Sequence, residues 1–248
     1  MIDTHAHLYD PIFKADITQH ITDIKAVGVT EVWLPNCDLS TWQQLVELAE
    51  EFPDFALPMI GLHPTYVKEN YLEELNSLAK ILASRKVLAI GEIGLDYYWD
   101  KTFAKEQQWV FEKQMQWGLD LGLPINIHTR NAMGETIELV KPFAKKGLKG
   151  IFHCFSGSKE SAEQIIEMGF LLGLGGVLTY KNAGVAEAVV DIPLEFLVLE
   201  TDAPYLPPVP YRGKRNEPAF MIEVAKKLAE IKNIPLHEVA EKTSGNAE

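Results

Sequence analysis

The sequence predicts an α/β fold, a single-domain (β/α)8 barrel, on three observations. Short apolar runs recur along the whole chain, and the segments between them carry apolar residues at i, i+3/i+4 spacing. The third is size: 248 residues shared among eight such pairs is about 31 each, as in barrels of ~250 residues. The candidate strands are Ile2 to Leu8, Glu31 to Cys37, Ala56 to His63, Val87 to Leu95, Pro124 to His128, Gly150 to Phe155, Phe170 to Leu178 and Phe196 to Thr201. The candidate helical faces are Ile17/Ile21/Ile24, Trp42/Leu45/Val46/Ala49, Leu72/Leu75/Ala79/Leu82, Phe111/Met115/Leu119, Leu139/Val140/Phe143, Ala162/Ile165/Ile166 and, after the last strand, Phe220/Val224/Leu228/Ile231. An open doubly wound sheet shares this alternation, but no G-x-G-x-x-G turn follows the first run. The Pro-rich stretch Ala203 to Pro210 lies after the eighth run and reads as one long loop. No linker divides the chain, so residues 1–248 are expected to form one domain.

Composition narrows the function classes. Hydrophobic residues at 47% and charged residues at 23% exclude a disordered chain. With 23 Lys+Arg against 35 Asp+Glu, the formal charge of -12 excludes a general electrostatic grip on polyanions, so a nucleic-acid substrate needs a local device. The two cysteines, Cys37 and Cys154, lie in no paired motif, which argues against a disulfide scaffold or a thiolate zinc site; both read as core residues. No basic and apolar leader opens the chain and no apolar run approaches 18 residues. A cytoplasmic protein with no membrane contact and no obligate protein partner is expected.

In a barrel, chemistry sits at the carboxyl ends of the strands. Of seven histidines, five (His5, His7, His63, His128 and His153) fall near predicted strand ends, where random placement would put roughly one. Glu92 ends the fourth run in AIGEIGLD and Asp202 follows the eighth in LVLETDAP. His5 and His7, two apart on a strand, point to the same side. Together with Glu92, His128, His153 and Asp202 they form a set of buried polar groups that one or two divalent cations would satisfy; a water-filled polar mouth is the competing reading. Six ligands exceed the needs of one tetrahedral zinc, whereas two ions about 3.5 to 4 Å apart would use them all. Glu92 is the natural bridge between His5/His7/Asp202 and His128/His153.

The motifs DTHAHLYD (3–10), GLHP (61–64), GEIGLDYY (91–98), PINIHTRNA (124–132), HCFSGS (153–158), LGLGGVLTY (172–180), ETDAPYLPP (200–208) and RGKRNEP (212–218) run nearly end to end. In this the chain resembles the TatD-type metal-dependent deoxyribonucleases of the amidohydrolase superfamily. The resemblance implies a TIM barrel, metal ligands at His5, His7, Glu92, His128, His153 and Asp202, and hydrolysis of DNA phosphodiesters with 3′ to 5′ trimming. Tyr9-Asp10 departs from the family's short turn and is expected to affect only the first loop.

Two divalent ions would lower the pKa of a water from 15.7 to about 7, supplying hydroxide at neutral pH. Asp202 is placed to accept its proton, and Glu92 shares the catalytic role. Imidazole-rich ligation favours Zn, Mn, Ni or Co, and the resemblance adds Mg. Against a net acidic surface, phosphate is expected to be held by Arg130, His63 and the loop cations Arg212, Lys214 and Arg215. Tyr97, Tyr98 and Trp99 follow the fourth strand as stacking candidates. Glu200 is a candidate to orient a ligand histidine. Two other readings stand: hydrolysis of another ester or amide on the same metals, such as an aminoacyl-tRNA ester, and a noncatalytic metal-binding protein.

Overall fold

The computed structural model describes residues 1–248, and in it the apolar runs become eight parallel strands in sequential order. They are β1 (Ile2–Asp3), β2 (Glu31–Leu34), β3 (Ala56–Ile60), β4 (Ala89–Asp96), β5 (Ile125–Arg130), β6 (Gly150–Phe152), β7 (Leu171–Leu174) and β8 (Leu197–Leu199). The chain closes on itself beyond the β1 and β8 ladders: Thr4 N–H donates to Leu199 O at 3.1 Å, His7 N–H to Ala203 O at 2.8 Å, and Asp202 N–H to His5 O at 2.9 Å. Ala6 N–H turns the other way, to Trp33 O at 3.0 Å, so residues 4–7 bridge β2 and the segment after β8. The barrel expected from the sequence is the fold observed.

Helices α1 (Ile17–Ala26), α2 (Leu39–Glu51), α3 (Tyr71–Leu82), α4 (Ala104–Leu121), α5 (Met133–Ala144), α6 (Lys159–Glu167), α7 (Val185–Val189), α8 (Met221–Lys232) and α9 (Leu236–Ala247) alternate with the strands or follow the last. Helix α2 starts where Asp38 and Thr41 form a reciprocal capping box, and α4 stops at Gly122, which takes the left-handed conformation. The predicted faces pack inward: Trp42, Leu45 and Val46 from α2, Phe111 and Met115 from α4, Val224 and Leu228 from α8. Each such side chain is worth about 1.5–3 kcal/mol of burial. The spacing did not reveal α7, only five residues long, or α9.

Most paired strands are shorter than the apolar runs. The seventh ends at Leu174, because Gly175 and Gly176 let the chain turn into a 3-10 segment, Gly176–Thr179, instead of continuing the ladder. Strand β5 is the exception, running on past His128 to Arg130, and β4 is buried along all eight residues. Its Gly94 sits at φ +146°, and a Cβ there would lie 1.9 Å from the His128 carbonyl oxygen, so only glycine allows β5 to approach this closely. Helix α4 sets the heights of β3 and β4: Gln114 bonds both the N–H and C=O of Leu62, at 2.7 and 3.1 Å, and Gln107 those of Asp96, at 3.0 and 3.2 Å. No helix is long and apolar enough to cross a membrane.

Candidate metal centre

The carboxyl ends of the strands meet in a cavity of about 630 Å³. His7, Glu92, His128, His153 and Asp202 line it, and the fully buried His5 lies directly behind them, 3.3 Å from Glu92 Oε2. Glu92, on β4, lies at the middle and its two oxygens face opposite ways. Oε2 is 3.3 Å from His5 Nε2 and 3.7 Å from His7 Nε2; Oε1 is 2.8 Å from His128 Nδ1 and 3.2 Å from His153 Nε2. Asp202 Oδ1 closes the first side, 3.5 Å from His7 Nε2 and 3.7 Å from His5 Nε2. The Glu92 carboxylate thus lies between the His5 and His7 nitrogens and those of His128 and His153, while the His5 and His153 rings stack on each other at 3.6 Å.

Hydrogen bonds behind the imidazoles decide which nitrogen faces the cavity. Tyr9 OH donates to Pro35 O at 2.7 Å, so at 3.0 Å from His7 Nδ1 it accepts, which places the Nδ1 hydrogen there and turns Nε2 toward Glu92 and Asp202. His5 Nδ1 donates to Asn126 Oδ1 at 2.8 Å, and His153 Nδ1 to Glu200 Oε1 at 3.1 Å. Three Nε2 atoms are therefore presented together with carboxylate oxygens, the donor set that divalent cations take, and such outer contacts fix ring orientation in metal sites. Within this group His5, His7 and Glu92 offer donor atoms within 4.8 Å of one another, as do His5, His153 and Asp202. The residues present fit a metal.

Other residues also reach the cage: His63, expected as a phosphate contact, and Asp96, Asn126 and Tyr9, which the sequence reading did not place there. His63, Glu92 and His128 form a third donor cluster, with His63 Nε2 3.4 Å from Glu92 Oε1, so His63 belongs to the cage rather than only to its rim. Asp96 Oδ2 is 2.9 Å from His128 Nε2. Asp96 and Glu92 are four apart on β4, and Asn126 and His128 two apart on β5; period-two alternation places each pair on one face and was the available signal. The expectation that Tyr9-Asp10 alters only the first loop is corrected, since the Tyr9 hydroxyl holds His7. Cys37 and Cys154 are not core residues: both line the cavity, because Cys154 turns to φ 47° just past β6 and Cys37 follows the end of β2.

Electrostatics follow from crowding these charges. Burial works against the Glu92 carboxylate, but His63, His5, His153 and the hydrogen bond from His128 hold it well below its usual range. Asp202 is lowered against the same penalty, chiefly by His7. Burial opposes protonation of His153 and His7 too, yet Glu200 and Glu92 raise the first well above its usual value, and Tyr9, Cys37 and Asp202 the second. Burial lowers His63. Behind β1, burial pushes Asp3 up to about 8, while it accepts from Thr201 N–H at 3.0 Å and His5 N–H at 3.2 Å, aligning β1 with the segment that carries Asp202.

Two outcomes follow. The carboxylates around His7 and His153 favour their protonated forms, and a cation must displace any proton from the Nε2 positions, so metal uptake is expected to release protons and affinity to rise with pH. Calorimetric titration in two buffers of different ionisation heat reads the release; an affinity unchanged from mildly acidic to mildly alkaline pH would contradict it. Tyr9→Phe removes the acceptor at His7 Nδ1 and is expected to lower metal affinity or turnover by roughly 10–100-fold. Equal metal content and turnover in this variant would remove Tyr9 from the centre.

The cationic residues separate. Arg130 lines the cavity with its guanidinium 3.8 Å over the Tyr98 ring and 5.4 Å from Trp99, which is 72% exposed. Arg212 stacks 3.9 Å over Tyr180, outside that cavity, and Lys214 lies 5.8 Å over Tyr211. Arg215 is engaged elsewhere, bonding Ile12 O at 2.8 Å, His20 Nε2 at 2.9 Å and Glu217 at 3.2 Å, so its guanidinium ties the eighth loop to the first. Tyr97 is buried and packs in the core, while Tyr66, Trp99 and Tyr205 line the mouth.

Known proteins resemble this chain along its whole length. A family model described as TatD related DNase matches residues 2–248. A protein of Bacillus subtilis strain 168, named as the uncharacterized metal-dependent hydrolase YabD, is 39% identical over 248 residues, covering 100% of this chain and 97% of that one. One from Pantoea ananatis, named 3′-5′ ssDNA/RNA exonuclease TatD, is 29% identical, covering 100% and 97%. The crystal structure of the TatD homologue YjjV from Escherichia coli K12 superposes with a TM-score of 0.90 at 29% identity, covering 99% and 95%. The chain belongs to the TatD-related DNase family of metal-dependent hydrolases.

Proposed function

We propose that this hydrolase is a deoxyribonuclease that trims DNA from the 3′ end by water attack on the phosphodiester, with two divalent ions (Zn, Mn, Mg, Ni or Co) as its cofactors. The observation that carries the reading is the split of Glu92, one oxygen toward His5 and His7 and the other toward His128 and His153. Divalent ions at such a centre supply an acidified water and neutralise charge on the phosphate. His5, His7 and Asp202 would hold one side and His128 and His153 the other, with Glu92 between. Asp202, an ionised carboxylate at the cavity's edge, accepts the proton of the attacking water. Arg130 is positioned to pair with a phosphate oxygen, and its stacking on Tyr98 keeps the guanidinium in place. Neutral His63 donates a hydrogen bond to the same group or joins the ligands. Trp99, Tyr66 and Tyr205 offer faces to a base at the mouth. The named exonuclease of Pantoea ananatis supports a nucleic-acid substrate, and a cytoplasmic setting suits that substrate.

Protein loaded separately with each of these metals should cleave single- or double-stranded DNA and a chromogenic phosphodiester, with 5′-labelled strands shortening stepwise. Turnover of simple esters or amides alone would replace this reading with hydrolysis at carbon. Metal uptake with no turnover of any of them would favour a noncatalytic role.

A further inference from the structure

A second opening lies beside the metal cavity, a groove of about 320 Å³ walled by Tyr180, Lys181, Asn182, Ala183, Val209 and Arg212. Its walls continue those of the main cavity. Val177 lines the cavity and Tyr180 the groove, one 3-10 turn apart, a rise of about 6 Å. On the facing loop, Leu206 lines the cavity and Val209 the groove. The two loops are locked together: Tyr180 OH donates to Pro207 O at 2.9 Å, and Val209 N–H to Thr179 Oγ1 at 2.8 Å. A Cβ on Gly176 would lie 2.0 Å from Leu206 O, so glycine permits this contact. The groove is therefore a fixed extension of the site rather than a gap between independent loops.

Its chemistry is that of a phosphate backbone track. On a chain of net charge -12, its ionisable groups are the Lys181 ammonium and Arg212 guanidinium beside the Tyr180 phenol, and no carboxylate lines it. Neither cation enters an ion pair with an Asp or Glu, whereas Arg215 in the same loop does, with Glu217 at 3.2 Å. The Arg212 guanidinium lies 3.9 Å over the Tyr180 ring, a cation–π contact that holds it in place without pairing it to a carboxylate. The Asn182 amide adds a neutral donor, and the Tyr180 ring and Val209 give the groove an apolar flank. Cations over an aromatic floor, continuous with the reacting cavity, suit the phosphodiester and sugar of a neighbouring nucleotide.

We infer that Lys181 and Arg212 form a second phosphate subsite, which holds the polynucleotide one or two residues away from the bond being cleaved. This rests on the nuclease reading above, and it makes the enzyme selective for chains longer than a dinucleotide. The cavity takes the scissile phosphate, and the groove contributes affinity only when a further phosphate is present. The site thereby acquires the local positive device that the overall acidity of the chain demands.

The test is binding without turnover. Fluorescence anisotropy in EDTA compares labelled oligothymidylates of two and six nucleotides on the full-length protein and on Lys181→Ala/Arg212→Ala, with circular dichroism checking the fold. The wild type should bind the hexamer more tightly than the dimer. The double variant should lose that gain, weakening hexamer binding roughly tenfold with a shallower salt dependence, as expected for two lost phosphate contacts. Arg212→Lys should restore part of it. Unchanged hexamer affinity in the variant, equal losses on both lengths, or no length preference in the wild type would overturn the subsite. Failure of the nuclease reading appears separately, as metal-loaded protein that binds the hexamer with the length preference but cleaves no phosphodiester.

Discussion

Glu92→Gln should abolish metal retention at one or both halves of the cage and lower turnover by roughly 10³-fold, about 4 kcal/mol of transition-state stabilisation. The amide keeps the size of the side chain but removes the charge that both of its oxygens carry toward five histidines. Glutamine presents one oxygen and one NH2, so it can face only one half of the cage as an acceptor. The NH2 would oppose either the His5/His7 side or the His63/His128/His153 side. Elemental content of the purified variant reads the first effect and hydrolysis of a chromogenic phosphodiester the second. A variant that keeps its full metal content and more than a tenth of its activity would remove Glu92 from the bridging position.

Gly94→Ala should be the most destabilising single methyl addition near the site. The position combines φ +146° with a 1.9 Å approach to the His128 carbonyl, and that carbonyl is backbone that cannot swing aside. Strain at such a φ costs about 1–3 kcal/mol, and separating β4 from β5 adds to it. A total near 4 kcal/mol would lower Tm by roughly 10 °C in a domain of this size. Because Gly94 pairs with His128 in the ladder, the displacement would also move a cage residue, so surviving protein should bind metal weakly. Scanning calorimetry within a degree or two of wild type would show that β5 can retreat and that the close approach is not required.

The barrel was legible because its two periodicities are simple: apolar runs that become buried strands, and helical faces such as Trp42/Leu45/Val46/Ala49 that pack on them. Strand lengths were less legible. The run through His7 reads as one strand, but barrel closure sends the N–H groups of Thr4, Ala6 and His7 alternately to opposite neighbours. In the site, the six expected metal-binding residues converge because His5, His7, His153 and Asp202 follow the ends of β1, β6 and β8 while Glu92 and His128 lie within the longer β4 and β5, which run past them. Asp96 and Asn126 shared a strand face with Glu92 and His128 and could have been found by the same alternation that paired His5 with His7. Tyr9 could not, since its role depends on the Pro35 carbonyl just past the end of the neighbouring β2. Nor could the fate of Arg215, whose guanidinium is taken by Ile12 and His20 from a distant part of the chain. Loop cations are placed by tertiary contacts that no local pattern encodes.

Crystals grown with Mn and measured at its absorption edge test the central claim most directly. The account predicts two anomalous peaks within the cage, one bonded to His5, His7 and Asp202 and the other to His128 and His153, both touching Glu92. A single peak would leave a one-metal centre. No peak among these side chains, in protein that cleaves a phosphodiester with Mn, would contradict the account.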